Sequence, residues 1–285
     1  YTVTLNPALD KTVQIPSFRL GEGNRISAMR TDPGGKGINV SKVLRELGEP
    51  SVAAAILGGA AGRKIESALR ALGIEGMYLF TGHETRTNLK IVDPTLHTNT
   101  DVNEPGAPAD EAVLSKLLTQ LTDRLRPGDL VVLSGKSHAG APDTLYRDWI
   151  LACRAAGAAV YLDAEGELLR QGVTAGPALI KPNQAELSGV MGRPLTTEDE
   201  TIRAAQELLA QGVGCVAVTM GAGGALLCWE DCVLRCESPR VPVGRESDLH
   251  DRAAGGERQT PEPTAGEREH GGVSRFMHER RKQKN

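Results

Sequence analysis

A glycine-rich turn with one lysine, DPGGKGIN at residues 32–39, is the stretch best suited to bind an anion. Glycine has no Cβ and can adopt positive φ, so its backbone can approach a ligand closely. Apolar residues then recur at helical spacing, which predicts a helix that starts at the turn and stops at Gly48. These residues are Val40, Val43, Leu44 and Leu47. The free N–H groups and dipole of that helix would face the anion, with Lys36 adding positive charge. The alternative is a turn that serves only strand-to-helix packing.

Three further stretches place anion-binding or metal-binding side chains at the predicted ends of strands. Lys181-Pro182-Asn183, with Glu186 three residues on, combines a cation, an amide and a carboxylate, which suits phosphate and Mg²⁺ held through water. A second glycine-rich turn spans residues 219–225, and the turn at 85–88 contributes Arg86, whose planar guanidinium suits a sugar phosphate. Singly, each is explained by turn chemistry. Together, in one α/β chain, they favour a phosphoryl-transfer site.

The elements that would position these turns alternate between strands and helices. Continuously apolar strands separated by helices are typical of a parallel sheet covered on both faces. The predicted strands are residues 1–5, 52–57, 130–133, 159–162, 178–180 and 216–219, and the predicted helices lie near 65–72, 113–125, 143–156 and 200–210. Asp10 follows the first strand, at the end where open α/β sheets bind ligands. Residues 12–30 and 85–92 alternate polar and apolar side chains, which predicts antiparallel strands outside the main sheet, forming a lid.

Composition restricts the class of protein. The 285 residues are 40% hydrophobic but only 3% aromatic, enough for one large α/β core built mainly from aliphatic side chains. A net charge of -3 gives no general attraction to nucleic acid or an anionic membrane. No apolar run approaches the roughly 20 residues that span a bilayer. An odd number of cysteines, 5, argues against a disulfide framework, and with no export signal in the sequence we expect a cytoplasmic protein.

Three cysteines, Cys228, Cys232 and Cys236, recur at every fourth residue and allow a metal site. Zinc sites usually begin with a C-x₂-C pair, and a fourth ligand is not evident here. Two short strands around a turn at Glu230-Asp231 are therefore favoured.

The patterning disappears from about Gly244. Residues 245–285 contain few apolar side chains among Arg, Glu, Gly and Pro, and this composition predicts a disordered segment. The basic end at residues 280–284 allows a targeting or nucleic-acid patch, but a short solvated tail is favoured and no nucleic-acid partner is expected. Such an abrupt switch is also what a change of reading frame would produce.

Taken in order, the motifs closely resemble those of the phosphofructokinase B branch of the ribokinase-like sugar kinases. They are Leu5–Asp10 (LNPALD), Gly34–Asn39 (GGKGIN), Thr85–Asn88 (TRTN), Lys181–Glu186 (KPNQAE) and Gly221–Ala225. The opening YTVTLNPALD, the NEPG stretch at 103–106 and the TRTNLKI strand are most similar to members that phosphorylate fructose 1-phosphate. Members acting on tagatose 6-phosphate are the near relatives. The resemblance covers about residues 1–243.

The resemblance implies a Rossmann-like ribokinase fold with a small β-lid, ATP and Mg²⁺ as co-substrates, and a homodimer formed through the lid. The implied reaction is phosphorylation of fructose 1-phosphate to fructose 1,6-bisphosphate. Tagatose 6-phosphate, fructose 6-phosphate and a non-catalytic sugar-phosphate or nucleotide binder are the alternatives. By matching position, the implied sugar-phosphate contacts are Asp10, Gly35, Lys36, Asn39 and Arg86, with Lys36 also a contributor to catalysis. The implied nucleotide contacts are Lys181, Asn183, Glu186, Thr219, Gly221 and Gly224, with Glu186 also holding Mg²⁺ through water.

Two departures from the family pattern matter. Where the family has a Ser-Gly-Ser-Leu-Pro turn, residues 134–138 are Ser-Gly-Lys-Ser-His. The Gly-Ala-Gly-Asp motif, which supplies the general base and the anion hole, does not follow Val243. The nearest acids, Asp248, Asp251 and Glu257, lack its context. We therefore expect residues 1–243 to be a kinase domain lacking its carboxy-terminal elements, residues 244–285 to be an atypical tail, and activity to be low.

Overall fold

The computed structural model describes residues 1–108 and 110–238, which form thirteen strands in two sheets and seven α-helices. The strands are β1 (Thr2–Thr4), β2 (Ala8–Gln14), β3 (Ala28–Gly34), β4 (Val52–Gly58), β5 (Glu75–Thr81), β6 (Arg86–Asp93), β7 (Thr98–Asn103), β8 (Leu130–Ser134), β9 (Ala159–Asp163), β10 (Leu179–Ile180), β11 (Val216–Thr219), β12 (Ala225–Trp229) and β13 (Cys232–Cys236). The helices are α1 (Lys36–Glu46), α2 (Gly59–Ala71), α3 (Glu111–Arg124), α4 (Leu145–Ala155), α5 (Gly166–Val173), α6 (Gln184–Met191) and α7 (Glu198–Ala210).

Nine strands form the main sheet, in the order β13-β12-β11-β10-β9-β8-β1-β4-β5. Pairing is parallel from β11 to β5. At the other edge β12 pairs antiparallel with both β11 and β13. The carboxyl ends of the parallel strands therefore share one edge. This confirms the mostly parallel α/β sheet that the sequence predicts.

Helices cover both faces of this sheet at β4. Its alternate residues enter two different clusters, because successive side chains of a strand point to opposite faces. On one face Ala53, Ala55 and Leu57 pack with Ile38 of α1 and Ile65 and Leu69 of α2. On the other face Ala54 and Ile56 join the larger core with Leu117 and Leu121 of α3 and Trp149 and Ile150 of α4. The aliphatic core is the one expected from composition.

The helix predicted after the glycine-rich turn is confirmed as α1, which ends just before Gly48, but the apolar residues that indicate it do not all form its buried face. Val43 is 53% exposed and Leu47 72% exposed. The residues that α1 buries are Gly37, Ile38 and Ser41. Small and polar side chains make the contact because the helix lies very close to β1: a Cβ on Gly37 would come within 2.5 Å of the Val3 carbonyl oxygen.

The small sheet has the order β3-β2-β6-β7 and forms the lid. Its outer pairs are antiparallel, but β2 and β6 are parallel. The antiparallel lid strands expected within residues 12–30 are present only at the two ends of that segment, since β2 ends at Gln14 and β3 starts at Ala28. The chain turns away after Pro16, where the Asp93 carboxylate accepts hydrogen bonds from the backbone of Ser17 at 3.0 Å and Phe18 at 2.6 Å.

The cysteine-containing segment forms the expected hairpin, with Glu230 at φ 49° in its turn. Within the described ranges no group of three His, Cys, Asp or Glu side chains is placed to hold a metal. No helix in that part of the chain is long and apolar enough to cross a membrane. The predictions for residues 244–285, including Asp248, Asp251 and Glu257, lie outside the described residues.

Candidate active site

The carboxyl ends of β1, β8, β9, β10 and β11 lie along one edge of the main sheet, the edge that binds ligands in open α/β folds. The first turn of α1 is tied to β1 there, because Thr4 Oγ1 accepts a 2.9 Å hydrogen bond from the Ile38 N–H. Gly35 precedes α1 at φ 120°, and a Cβ on it would come within 2.6 Å of Thr4 Cγ2. Gly35 thus permits the close approach that directs the positive end of α1 at this edge, which suits an anion.

One carboxylate joins two of the predicted site lysines. Asp163, the last residue of β9, contacts Lys36 Nζ at 3.0 Å through Oδ1 and Lys181 Nζ at 3.1 Å through Oδ2. The sequence assigns Lys36 to the sugar phosphate and Lys181 to the nucleotide. Asp163 therefore lies where the two halves of the predicted site meet.

These two ion pairs are partly open to solvent. Each lysine side chain is 44% exposed, and that of Asp163 is 17% exposed. Pairs at such exposure contribute about 0.2–1 kcal/mol each. Two ammonium groups share one carboxylate, so the cluster keeps a positive charge. Phosphate oxygens can replace the carboxylate as partners at little cost.

Asp10 lies on the polar face of the lid, opposite Asp32 in β3 and Asn88 in β6. Its Oδ1 accepts a 2.9 Å hydrogen bond from Asn88 Nδ2. Burial raises the pKa of Asp10, and the Asn88 hydrogen bond and the Arg86 charge offset part of this effect. A Cβ on Gly34 would overlap the Asp10 carboxylate, so the first glycine of the turn makes room for it. This half-buried carboxylate is suited to accept a hydrogen bond from a sugar hydroxyl.

Arg86, the first residue of β6, is held by two backbone carbonyls. Its Nη1 donates to Glu104 O at 2.9 Å, and its Nη2 donates to Asn6 O at 3.2 Å. Burial lowers the pKa of Arg86, while the nearby Asp10 and Glu104 carboxylates oppose that change. Its Nε is buried and has no partner within the described ranges. The guanidinium is therefore fixed in place with a donor left over.

The residues predicted to contact the nucleotide also lie close together. The Thr219 N–H donates to Pro182 O at 3.0 Å, and Asn183 bridges to Thr219 in parallel. Asn183 and Glu186 cap α6 reciprocally, with 2.8 Å from Glu186 N to Asn183 Oδ1 and 2.8 Å from Asn183 N to Glu186 Oε2. The KPNQAE stretch and the second glycine-rich turn thus lie side by side.

The second glycine-rich turn forms a short 3₁₀ turn, Gly221–Gly223. Gly224 has φ 87°, and a Cβ on it would overlap the Cys236 carbonyl oxygen. Its presence is therefore explained by packing of the hairpin. Gly221 has φ 57° and open space around its Cβ position. Asn39 lies exposed in the first turn of α1, where its N–H donates to Gly35 O at 2.9 Å.

The donor set fits a magnesium ion held mainly by water and phosphate oxygens. Oε2 of Glu186 caps a helix, and both oxygens of Asp163 contact lysines. The described residues contain no cage of carboxylates. Mg²⁺ keeps much of its water shell and takes few protein ligands in nucleotide sites, so this arrangement is compatible with it.

Two residues of the site were not singled out by the sequence analysis. Asp163 ends an apolar strand, the same signal that identifies Asp10. Asn6 follows β1 and donates from Nδ2 to Pro105 O at 3.0 Å and to Ser137 O at 3.5 Å. An amide directly after the predicted first strand was the available signal.

The profile of the pfkB family carbohydrate kinases matches residues 3–244. A 1-phosphofructokinase of Rhodobacter capsulatus is 40% identical over 227 residues, covering 79% of this chain and 72% of that protein. A 1-phosphofructokinase of Xanthomonas campestris is 36% identical and covers 90% of this chain and 81% of that protein.

Crystal structures of Escherichia coli phosphofructokinase-2 are similar in fold. The complex with fructose-6-phosphate is 30% identical with a TM-score of 0.82, covering 85% of this chain and 80% of that chain. The tetrameric inhibited form has a TM-score of 0.81 at 30% identity and the same coverage, 85% and 80%. The fold, the lid and these likenesses agree: the chain belongs to the pfkB family of carbohydrate kinases.

Proposed function

We propose that this chain is built to phosphorylate fructose 1-phosphate to fructose 1,6-bisphosphate with ATP. The observation that carries the proposal is the Lys36–Asp163–Lys181 cluster, which joins the lid side to the nucleotide side at the strand edge. Both transferred and resident phosphates need positive charge, and this cluster and the α1 terminus supply it. Sugar kinases of the pfkB family use ATP as the phosphate donor.

In the proposed reaction the sugar 6-hydroxyl oxygen bonds to the γ-phosphorus, and the bond to the ADP oxygen breaks. Asp10 and Arg86 would hold the sugar phosphate, together with Gly35, Lys36 and Asn39 around the α1 turn. Lys181, Asn183, Thr219 and the turn at 221–224 would hold the nucleotide. Mg²⁺ would offset phosphate charge, with Glu186 contacting it through water. The hydroxyl proton needs a base, and we assign that role to no described residue.

The names of the relatives favour fructose 1-phosphate as the acceptor. Two relatives at 36–40% identity are 1-phosphofructokinases, whereas the fructose-6-phosphate complex is of a protein at 30% identity. Fructose 6-phosphate and tagatose 6-phosphate remain the alternative acceptors. We also propose a homodimer formed through the lid, and a cytoplasmic location, which suits cysteines without disulfides in the described part of the chain.

A second candidate is a non-catalytic sugar-phosphate or nucleotide binder. One observation favours it: Gly-Arg-Glu-Ser-Asp, residues 244–248, stands where the family has Gly-Ala-Gly-Asp. A chain with both phosphate sites and no general base would bind its ligands and turn them over slowly.

Calorimetric titration tests the acceptor without requiring turnover. Fructose 1-phosphate, fructose 6-phosphate, tagatose 6-phosphate and unphosphorylated fructose are titrated into the full chain. We expect the tightest binding for fructose 1-phosphate and none for fructose. Tighter binding of another phosphosugar would reassign the substrate, and no binding of any of them would refute the proposal. An assay for ADP release then separates the enzyme from the binder.

A further inference from the structure

The connection between β5 and β6 is fastened to the turn between β4 and α2. Thr85, which is buried, donates from its N–H to Gly58 O at 3.0 Å and accepts from the Gly58 N–H through Oγ1 at 2.8 Å. Glu84 accepts from the N–H groups of Ala60 at 3.1 Å and Ala61 at 2.5 Å, one on each carboxylate oxygen. Two consecutive residues therefore make four hydrogen bonds to this turn, directly before β6 starts.

The turn between β4 and α2 has glycines where this connection approaches it. Gly59 has φ 61°, and a Cβ on it would overlap the Glu84 carboxylate. A Cβ on Gly58 would overlap the His83 carbonyl oxygen. Glycine allows such close approach because it has no Cβ. The LGGAAG stretch at residues 57–62 thus makes room for the connection that leads into the lid.

The Glu84 side chain is exposed, yet its carboxylate is held by backbone. The hydrogen bonds from Ala61 and Ala60 lower the pKa of Glu84, so it is charged at neutral pH. A carboxylate at a helix N-terminus satisfies free N–H groups and interacts favourably with the helix dipole. One interpretation is therefore that Glu84 serves only the stability of α2. Its position in the chain favours a further role, because Arg86 follows two residues later.

Arg86 is held at both its ends. Its guanidinium donates to Glu104 O at 2.9 Å and to Asn6 O at 3.2 Å. Those two carbonyls belong to the connections that leave β7 and enter β2. Its backbone continues directly from the segment that Glu84 and Thr85 fasten to the main sheet. The place of the guanidinium thus depends on how three connections between the main sheet and the lid meet, and Glu84 fixes one of them.

We propose that Glu84 is a positioning residue for Arg86: its carboxylate fastens the start of β6 to α2 and so sets where the guanidinium meets the sugar phosphate. Glu84 does not contact the substrate in this assignment. Its loss removes two of the four hydrogen bonds and lets the first residues of β6 move relative to the main sheet. A guanidinium that moves more in the free protein loses more freedom on binding, which lowers the affinity for the phosphate. The inference deepens the proposed function and rests on it.

The test compares two glutamates that hold backbone N–H groups at the start of a helix. Glu200 accepts from Thr196 N at 2.7 Å and Thr197 N at 3.0 Å, on a helix that packs against β11, β12 and α6. Glu84→Ala and Glu200→Ala thus remove the same kind of contact, but only the first is made by a residue that leads into the lid. Calorimetry measures the affinities of the full chain for fructose 1-phosphate and ATP, and thermal unfolding shows whether each variant is folded.

We expect both alanine variants to unfold at a lower temperature, because each loses acceptors for backbone N–H groups. Only Glu84→Ala should weaken fructose 1-phosphate binding, by about 3- to 10-fold, and its ATP affinity should stay constant. Glu84→Gln should recover part of that loss, because its amide oxygen accepts one of the two N–H groups. Where Glu84→Ala does not fold, Glu84→Gln carries the same comparison with a smaller expected loss.

A double substitution tests whether Glu84 acts through Arg86. In a chain that already carries Arg86→Ala, Glu84→Ala should change fructose 1-phosphate affinity by less than about 2-fold, because the guanidinium that it positions is gone. Equal losses with and without Arg86 would overturn the inference. So would unchanged affinity in a folded Glu84→Ala chain or a similar loss in Glu200→Ala, while the proposed function stands. A parent chain that binds no fructose 1-phosphate refutes the proposed function and this inference with it.

Discussion

Arg86 reaches two backbone carbonyls and still has a buried donor unused. If it grips the sugar phosphate, Arg86→Ala should weaken fructose 1-phosphate binding by about 1.5–3 kcal/mol, because a charge-assisted hydrogen bond is lost. The affinity of Arg86→Lys should lie between those of the parent and Arg86→Ala, because lysine keeps the charge but lacks the planar guanidinium. Arg147→Ala, on the exposed side of α4, is the matched control for calorimetry. Unchanged affinity in Arg86→Ala would remove this residue from the site.

We expect the charged Asp10 side chain to lower the stability of the folded chain while it strengthens fructose 1-phosphate binding. Burial raises its pKa, so the charged form is disfavoured in the folded chain, and protonation favours folding as the pH falls through the folded pKa. Asp10→Asn keeps the acceptor for Asn88 and removes the charge. It should raise the unfolding midpoint at pH 7, and this gain should shrink towards pH 4. Fructose 1-phosphate affinity should fall about 10-fold or more. A variant less stable than the parent at pH 7 would contradict this account.

At this scale the sequence located most of the candidate residues, because residue type and position after a strand carry the chemistry. It did not show how they are paired. The link from Lys36 to Lys181 through Asp163 joins residues far apart in the chain, and no local pattern predicts such a contact. The role of Gly224 in hairpin packing was not predictable for the same reason, because Gly224 packs against Cys236, which is not close to it in the sequence.

Among the elements, α6 begins with a cap whose two members are also predicted nucleotide contacts. Glu186→Gln keeps an oxygen for the Asn183 N–H, so helix stability should change little. It deletes one negative charge near the metal, so the Mg²⁺ requirement of turnover should rise. Asn183→Ala should instead lower stability by about 1 kcal/mol through loss of the cap.

Thermal unfolding and a magnesium titration of ADP release together separate these two roles. Because the unmodified chain is expected to turn over slowly, the titration is made on a chain in which a family-like segment with Gly-Ala-Gly-Asp replaces residues 244–285. Identical titration curves for Glu186→Gln and its parent would show that Glu186 serves only the helix.

Elements with strong apolar periodicity, such as α3 and β9, were predictable. The face of α1 was not, because Gly37 and Ser41 pack on β1 while Val43 and Leu47 are exposed. Because α1 lies very close to β1, small residues rather than large apolar ones form most of its buried face. The exposed strand β7 (Thr98–Asn103) was missed because it is almost entirely polar, and β5 (Glu75–Thr81) was missed although Met77 to Phe80 form a continuous apolar run.

Across the whole molecule, the two faces of the sheet are buried unequally from β8 to β12. Val131, Leu133, Val160 and Leu162 are fully buried under α4 and α5. On these strands, the residues whose side chains point to the opposite face of the sheet are only half-buried in the described part of the chain. They include Val132, Leu179, Ala217 and Leu227. Few apolar residues are available in 245–285 to add to this core. Uncovered apolar sheet favours aggregation.

We therefore expect the chain to bind an apolar dye and to aggregate on warming. Replacement of residues 244–285 by a family-like segment with Gly-Ala-Gly-Asp and its following helices should raise the unfolding midpoint and reduce dye binding. Equal midpoints and equal dye binding in the two chains would contradict that expectation.

We infer that this chain has the substrate sites of a fructose-1-phosphate kinase and lacks the general base. Product formation by the unmodified chain and by the tail-replaced chain, each with ATP, Mg²⁺ and fructose 1-phosphate, tests this inference. Loss of a general base removes about 10²–10⁴ in rate. We expect near-background turnover from the unmodified chain and fructose 1,6-bisphosphate from the tail-replaced chain. Strong kinase activity in the unmodified chain, or none in a folded tail-replaced chain that binds both substrates, would contradict it.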